Sequence, residues 1–331
     1  MSWLSVLLVA VPALLLSAWW TLALWLRLPG GRTLRGAGAA LWSGLVLCLF
    51  VLLWRGQVAL AAAAFAAAQL LLALWWHGIR PSNVRRWADE VAEQLHGEID
   101  GDTVTLAQVR NFGWRSLGDY DARWETRRYA LSGLRSVDVL LSHWMGPAIA
   151  HTLVSFGFDD GRYLAFSIEI RKERGEAYSA LGGFFKQFEA ILVAADERDI
   201  VRLRSNVRGE DVYLYRLHMP APAMRSLFLA YLAEADALRR RPRWYHTATG
   251  NCTTIVFEMA RRIVGGLPFD YRLLLSGYLP EYLHQVGGLA PGHSVAELRR
   301  AGCINERARA ADQAADFSQR IRAGVPGIEA P

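Results

Sequence analysis

The sequence predicts three N-terminal transmembrane helices followed by an α+β domain. Two observations carry this prediction. The first 80 residues of the 331-residue chain contain five arginines and no other charged residue. After that point charged residues are frequent, and short apolar runs with a period of two alternate with runs that repeat every three or four residues. Such a contrast favours a membrane region joined to a globular region.

Three uncharged apolar runs form the membrane region, at Leu4–Leu26, Gly36–Trp54 and Val58–Trp76. A helix needs about 20 apolar residues to cross ~30 Å of hydrocarbon, so each run is long enough to span a bilayer. Tryptophans gather near the ends of the runs, as interfacial aromatic residues do. A cleaved signal peptide is the competing interpretation of the first run, but it lacks a basic start and two more runs follow it.

The arginines give a first indication of orientation. Three lie between residues 27 and 35, and Arg80, Arg85 and Arg86 follow the third run. With three spans, both groups fall on one side of the membrane. The positive-inside rule alone would make that side, and the globular domain with it, cytoplasmic.

We divide the chain into a transmembrane anchor (1–80), a membrane-proximal connecting segment with short strands (81–136) and an α+β domain with C-terminal helices (137–331). Pro81 breaks the last apolar helix. Within 97–116, strand-forming residues flank a turn at Asp100 and Gly101.

The segment 149–173 is the clearest local signal in the α+β domain. Two apolar-rich runs flank Asp159-Asp160-Gly161, which is typical of a β-hairpin. The second run alternates, so Leu164, Phe166, Ile168 and Ile170 face one way and Ala165, Ser167, Glu169 and Arg171 face the other. Further strands are predicted at 137–144, 189–206 and 210–217. Amphipathic helices are predicted at 221–241 and at Thr253–Val264.

Charge and cysteine content narrow the function classes. The net charge of +6 comes mostly from scattered arginines, with no basic stripe or motif that would indicate nucleic-acid binding. The three cysteines, Cys48, Cys252 and Cys303, make no disulfide framework and no metal-ligand spacing, so we expect no metal or other cofactor. A single disulfide between Cys252 and Cys303 stays open at this stage.

Cys252 is the candidate nucleophile. It follows Asn251, a favoured N-cap residue, and is predicted to begin the first turn of a helix. Free N–H groups and the helix dipole at such a place stabilise a thiolate, and the same N–H groups can hold a developing oxyanion. The alternative is that Cys252 is a small buried residue with no chemistry.

His151 is the candidate base, because it opens the first strand of the hairpin. A histidine on a strand that faces a cysteine at a helix start is an arrangement that activates a thiol. Glu169 or Ser167, on the neighbouring strand, has the parity to orient the imidazole. Glu169 has a purely structural alternative, an ion pair with Arg171 or Arg204.

Three long segments, 149–189, 195–217 and 244–254, resemble a bacterial family named after Lnb, a lipoprotein N-acyltransferase. The likeness covers about residues 97–320 and is to the N-terminal, periplasmic domain of that family. The family is similar to circularly permuted papain-like (NlpC-type) cysteine enzymes, in which the histidine strand precedes the cysteine helix.

This resemblance implies Cys252 as acyl-accepting nucleophile and His151 as base, with Glu169 favoured over Ser167 as third member. Asn251, Ser167 and Arg171 are expected as supporting residues. It also implies that an acyl chain passes from a phospholipid to an amine, such as a lipoprotein N-terminus. The catalytic domain would then lie in the periplasm and be anchored in the inner membrane. This disagrees with the cytoplasmic position that the arginine distribution alone predicts.

Two other functions stay open from sequence. The same residues would suit a cysteine hydrolase or amidase that cuts cell-wall peptides or lipid esters. A binding or scaffold domain that keeps the fold without catalysis is the third possibility, against which the presence of both Cys252 and His151 argues.

Overall fold

The computed structural model describes residues 3–328, with side chains described from residue 11 onward. The outer limits that we predict for the first and last domains, residues 1 and 331, lie outside that range. The chain divides into two compact units. A helical unit contains the described residues up to Ser82 together with Ser179–Phe188, and a sheet unit contains Asn83–Tyr178 and the described residues from Glu189 onward.

The helical unit contains four helices, α1 (Trp3–Arg27), α2 (Arg32–Trp54), α3 (Val58–Gly78) and the short α4 (Ala180–Phe184). Helices α2 and α3 are long and apolar enough to cross a membrane, and the apolar part of α1 with described side chains, Val11–Arg27, is shorter. Only 17% of the apolar window in α2 and 6% of that in α3 is buried, unlike the core helix of a soluble protein. Of the three predicted spans, two therefore meet the length and composition criterion over the described residues.

Aromatic contacts hold the helical unit together. The Trp20 indole donates to Gln69 Oε1 at 2.6 Å, and the Trp42 indole donates to the Ser17 carbonyl at 3.0 Å. Lys186, next to α4, donates to the Trp76 carbonyl at 2.7 Å and lies over its ring. The segment after residue 178 thus packs within this unit although it is far away in sequence.

The sheet unit is α+β, as predicted, and is built on a mixed eight-stranded sheet. Seven of the strands follow the order β1-β2-β9-β8-β7-β6-β10, and β5 pairs with β2. All pairings are antiparallel except that of β2 with β9. A second small sheet joins β3 to β4. The strands are β1 (His96–Asp100), β2 (Thr103–Arg110), β3 (Gly113–Trp114), β4 (Tyr120–Asp121), β5 (Trp124–Ala130), β6 (Leu134–His143), β7 (Ala150–Phe158), β8 (Tyr163–Arg171), β9 (Glu189–Ala195) and β10 (Asp211–Arg216).

Helices pack on both faces of this sheet. One core joins Phe156 and Phe166 of the sheet to Phe228 and Tyr231 of a long helix, and the other contains Leu153 and the C-terminal helices. Strand β7 is buried along its whole length because it lies between these two cores. The helices are α5 (Glu197–Arg202), α6 (Ala221–Arg240), α7 (Thr254–Ile263), α8 (Leu279–Gln285), α9 (Val295–Gly302), α10 (Asn305–Ala311) and α11 (Phe317–Arg320).

The strands of the predicted connecting segment, 81–136, belong to the same sheet as the rest of the unit. Strand β2 pairs with β1, β5 and β9, so the boundary at residue 136 is not a break in the fold. The division between the two units falls between Ser82 and Asn83. Sequence patterns place strands one by one, and they do not show that an early strand pairs with a late one.

Candidate active site

Cys252 lies in a turn just before α7, rather than in the first turn of the helix as predicted. The Asn251 side-chain oxygen accepts hydrogen bonds from the backbone N–H groups of Thr253 and Thr254, each at 2.9 Å. Asn251, three residues before the first helical residue Thr254, therefore caps the N-terminus of α7. The Asn251 oxygen thus occupies two of the N–H groups at the helix start that we predicted as donors to an oxyanion.

The Cys252 thiol lies beside the His151 ring of β7, close enough for the two groups to shift each other's pKa. Both residues are buried, at 6% and 8% exposure. Burial opposes ionisation of the thiol, but the His151 charge and hydrogen bond, with the Thr152 backbone N–H, lower the pKa of Cys252. The site therefore favours a thiolate.

The pKa of His151 moves in the complementary direction. Burial and the charge of Arg204 disfavour the imidazolium, yet Glu169 and the Cys252 thiolate outweigh them and raise the pKa of His151 to about 9. A thiolate and an imidazolium side by side stabilise each other by their opposite charges. Both shifts favour the thiolate and imidazolium over the neutral thiol and imidazole.

Glu169 and Ser167 both contact the far nitrogen of the His151 ring. His151 Nε2 lies 2.7 Å from Ser167 Oγ and 3.2 Å from Glu169 Oε1, and Ser167 donates to the same Glu169 oxygen at 2.7 Å. This leaves Nδ1 as the ring atom for the thiol. Burial opposes the Glu169 charge, but His151 and Arg204 hold the pKa of Glu169 well below its usual range.

Arg204 anchors Glu169 from behind. It donates to Glu169 Oε1 at 2.8 Å and to Glu210 Oε2 at 3.3 Å, and it lies on a π-helical turn, Leu203–Val207, that continues α5. Of the two structural partners considered for Glu169 from sequence, Arg204 is the one it pairs with. The carboxylate nevertheless contacts His151 as well, so the ion pair orients the site rather than removing Glu169 from it.

Arg171 does not join this group. Its guanidinium donates to the carbonyls of Val91 and Ala92, at 3.0 and 2.6 Å, and lies over the Trp87 ring. These contacts tie β8 to the segment that precedes β1. We predicted Arg171 as a supporting residue of the site. Arg171 instead stabilises the packing of β8 and makes none of these contacts with Cys252, His151 or Glu169.

Tyr245 is a site residue that sequence reasoning missed. Its hydroxyl lies beside the Cys252 backbone N–H, and burial together with the thiolate raises the pKa of Tyr245, so the phenol keeps its proton. A tight turn, in which His246 and Gly250 exchange backbone hydrogen bonds at 3.1 and 2.9 Å, folds Tyr245 back against Cys252. The His246 ring accepts the Thr249 N–H inside that turn at 3.2 Å, so this histidine shapes the turn.

A cavity of about 210 Å³ in the sheet unit gives access to these residues. Cys252, His151 and Glu169 all line it, and so do Tyr245 and Arg204. Among the described residues no group of three or more His, Cys, Asp or Glu side chains could hold a metal ion. Cys252 and Cys303 are both free thiols, so the disulfide left open from sequence is not formed.

We expect Cys252 to react with iodoacetamide at neutral pH far faster than an ordinary thiol. An ordinary thiol with a pKa near 8.5 is only a few per cent ionised at pH 7. Because the pKa of Cys252 is lowered, its alkylation rate should rise with pH less steeply than that of an ordinary thiol, up to about pH 9, where His151 loses its proton. The measurement is the alkylation rate against pH in a protein whose Cys48 and Cys303 are replaced by Ser. A rate that climbs tenfold per pH unit through this range would contradict the ion pair.

Alkylation also distinguishes Glu169 from Ser167 as the group that supports His151. Glu169→Gln removes the charge that raises the pKa of His151, so we expect the rate at pH 7 to fall roughly 10-fold or more. Ser167→Ala removes one neutral hydrogen bond, and the expected fall is about 3-fold. Glu98→Gln, at an exposed position on β1, is the control and should leave the rate unchanged. Equal losses in the Glu169 and Ser167 variants would assign no special role to the carboxylate.

Comparison with known protein families adds a finding from sequence. Residues 120–277 match the model of a family described as the Lnb N-terminal periplasmic domain, and Cys252, His151 and Glu169 all fall inside this segment. No curated protein and no solved structure matches the chain. The match and the apolar N-terminal helices together fit a membrane protein with a periplasmic domain. The resemblance expected from sequence is confirmed over residues 120–277, which match the model of the Lnb N-terminal periplasmic domain family.

Proposed function

We propose that this protein is a membrane-anchored cysteine acyltransferase of papain-like (permuted NlpC-type) fold. It takes an acyl chain from a phospholipid as a Cys252 thioester and passes the chain to an amine, such as a lipoprotein N-terminus. The observation that carries the proposal is the continuous contact from the Cys252 thiol through His151 to Glu169, in a cavity and within the family match. A buried thiol with no function has no need of a histidine and a carboxylate aligned behind it.

In the first half-reaction the Cys252 thiolate attacks the carbonyl carbon of a phospholipid ester. A C–S bond forms, and the carbonyl oxygen takes the negative charge of a tetrahedral intermediate. When the intermediate collapses, the ester C–O bond breaks and the His151 imidazolium gives its proton to the departing alkoxide. The products are a lysophospholipid and a thioester on Cys252, with His151 left neutral.

In the second half-reaction a neutral amine attacks the thioester carbonyl. His151 accepts the proton that the nitrogen loses, and the C–S bond breaks to release the amide and restore the thiolate with its imidazolium. Glu169, held by Arg204, keeps the ring oriented and stabilises its positive charge in both halves.

The tetrahedral oxyanion needs donors, and the structure offers two beside the sulfur. They are the backbone N–H of Cys252 and the Tyr245 hydroxyl, which lie side by side. An oxyanion placed between them would accept from both, as donors to a developing charge do. Tyr245→Phe would remove one of them without changing the shape of the ring.

We place the protein in the bacterial inner membrane with three spans, α1, α2 and α3, and the sheet unit in the periplasm. The family description and the apolar helices support this topology. A reporter active only in the periplasm, fused after residue 331, should be active in whole cells. Activity of a cytoplasm-specific reporter at the same position would reverse the topology and remove a lipoprotein acceptor from reach.

A second candidate is a cysteine hydrolase acting on cell-wall peptides or lipid esters. Charged residues line the cavity, among them Glu90, Lys172 and Glu210. Such a lining can bind a peptide as well as a lipid head group. The chemistry differs only in the second half-reaction, where water replaces the amine.

The test is to incubate the full-length protein with phospholipid vesicles and a synthetic peptide that carries a diacylglyceryl-cysteine with a free N-terminus. Mass spectrometry of the peptide and lipids reports both candidates. The acyltransferase should yield N-acylated peptide and lysophospholipid in equal amounts. Free fatty acid in place of acylated peptide would identify the hydrolase, and cleavage of cell-wall peptides without lysophospholipid would remove the lipid from the proposal.

A further inference from the structure

Arg208 lies where two cavities of the sheet unit adjoin. One is the cavity of about 210 Å³ that contains Cys252, and the other has a volume of about 540 Å³. Trp144, Arg208 and Glu210 line both. A ligand can therefore extend from the nucleophile into the larger cavity past the Arg208 side chain.

The charge of Arg208 is poorly compensated. Among the described residues, the guanidinium of Arg208 has one hydrogen-bond and ion-pair partner, Glu210 Oε1, at the long distance of 3.5 Å. The Arg208 side chain is 33% exposed. The Glu210 carboxylate is shared, because Arg204 and Ser142 donate to its other oxygen. Burial and the neighbouring charge of Arg204 lower the pKa of Arg208, although the carboxylates of Glu210 and Glu169 act against them.

Arg204 adds an unused donor. Its side chain is 6% exposed, it lines the cavity with Cys252, and its Nε atom has no hydrogen-bond partner among the described residues. A buried N–H group without a hydrogen-bond partner destabilises a folded protein, so such groups are rare in protein interiors. An anion bound in the cavity would give Arg204 Nε a hydrogen-bond partner and would place a second negative charge close to Arg208.

We propose that Arg208, backed by Arg204, binds the phosphate of the donor lipid while the ester of the same lipid lies at Cys252. This assignment rests on the proposed function and names what the site recognises in its donor. Guanidinium groups match the oxygens of a phosphate diester in charge and in geometry. In a glycerophospholipid the phosphate and the esters are carried on one glycerol, so a single cavity can hold both.

The first test measures the anion site without assuming acyl transfer. Iodoacetate and iodoacetamide alkylate the same thiol and differ in charge, so the ratio of their rates reports positive charge near Cys252. In the full-length protein with Cys48 and Cys303 replaced by Ser, Arg208→Gln should lower the iodoacetate to iodoacetamide ratio by roughly 10-fold, the lower range for loss of a hydrogen bond to a charged group. Arg208→Lys should lose less. The matched control is Arg135→Gln, at an arginine that is 60% exposed and pairs with Asp159, and it should leave the ratio unchanged.

Competition identifies the anion. sn-Glycerol 3-phosphate should slow iodoacetate alkylation of the parent protein and have little effect on Arg208→Gln. If inorganic phosphate protects equally well, the site reads a phosphate without its glycerol, which contradicts a lipid source. If a short peptide carboxylate protects at lower concentration than either, the site reads a peptide and the phosphate assignment is wrong. An unchanged rate ratio in Arg208→Gln would show that no anion site exists at this residue.

The second test uses acylation of Cys252 from micelles that contain either phosphatidylglycerol or uncharged diacylglycerol. Arg208→Gln should reduce acylation from the phospholipid roughly 10- to 100-fold more than acylation from diacylglycerol. Equal losses with both donors would overturn the phosphate role. Absence of acylation by either donor in the parent protein would refute the proposed function, and the alkylation ratio would still decide whether Arg208 forms an anion site.

Discussion

Cys252→Ala is expected to abolish release of lysophospholipid from phospholipid vesicles, with a rate loss on the order of 10⁵- to 10⁶-fold, the scale seen when a covalent nucleophile is removed. The physical reason is that the acyl intermediate forms on the Cys252 sulfur, and His151, buried beside it and favoured as an imidazolium, cannot take its place. The measurement is lysophospholipid formed per mole of protein, followed by mass spectrometry.

Cys303→Ala is the matched control, because that thiol is free and exposed and does not line the cavity. Its rate should equal that of the parent protein. Loss of a buried thiol also changes packing, so the Cys252→Ser variant, which keeps nearly the same volume, is measured beside it. Lysophospholipid release that persists in both Cys252 variants would mean that another residue attacks the ester.

His151→Gln is expected to lower the same rate by roughly 10³- to 10⁵-fold. Two effects combine, because the variant loses the positive charge that lowers the pKa of Cys252 and also the proton donor for the leaving group. The residual activity should rise with pH toward the range in which an unassisted thiol ionises. This pH dependence separates loss of thiolate from simple unfolding, which would leave no activity at any pH.

His284→Gln is the control for this variant. That histidine is exposed, and its ring contacts the His293 carbonyl at 3.0 Å, outside the cavity. We expect its rate and pH profile to match those of the parent protein. A similar loss in both histidine variants would argue against a specific role for His151.

The local features of the site were predictable from sequence because they depend on short-range chemistry. The hairpin around Asp159-Asp160-Gly161 sets the register that pairs Leu153 with Ser167, which brings His151 and Glu169 to neighbouring positions on adjacent strands. The capping preference of Asn251 fixed the start of the next helix to within two residues. Strand alternation and turn chemistry are properties of a few neighbouring residues.

The features that sequence did not show depend on long-range packing. Arg204 reaches Glu169 from a π-helical turn, and sequence left the choice between Arg204 and Arg171 open because no periodicity predicts which carboxylate a buried arginine will meet. Tyr245 comes beside Cys252 only because the turn between His246 and Gly250 reverses the chain. The strands before residue 136 join the main sheet through the pairing of β2 with β9, which a pattern along one strand cannot reveal.

Arg208 stayed unnoticed at the sequence level because scattered arginines are common in this chain. Its significance comes from its neighbours in space, because it shares the Glu210 carboxylate with Arg204 in the cavity that contains the thiol. Charge balance within a buried cluster is a property of three-dimensional neighbours and cannot be counted along the sequence.

The most direct test of the central claim is intact-protein mass spectrometry of the full-length protein after incubation with phospholipid vesicles. We predict a mass gain of one fatty acyl chain that hydroxylamine removes and that Cys252→Ala lacks, as a thioester on Cys252 requires. If the parent protein gains no acyl mass and releases no lysophospholipid under the same conditions, Cys252 does not accept an acyl chain from phospholipid, and the proposed function is wrong.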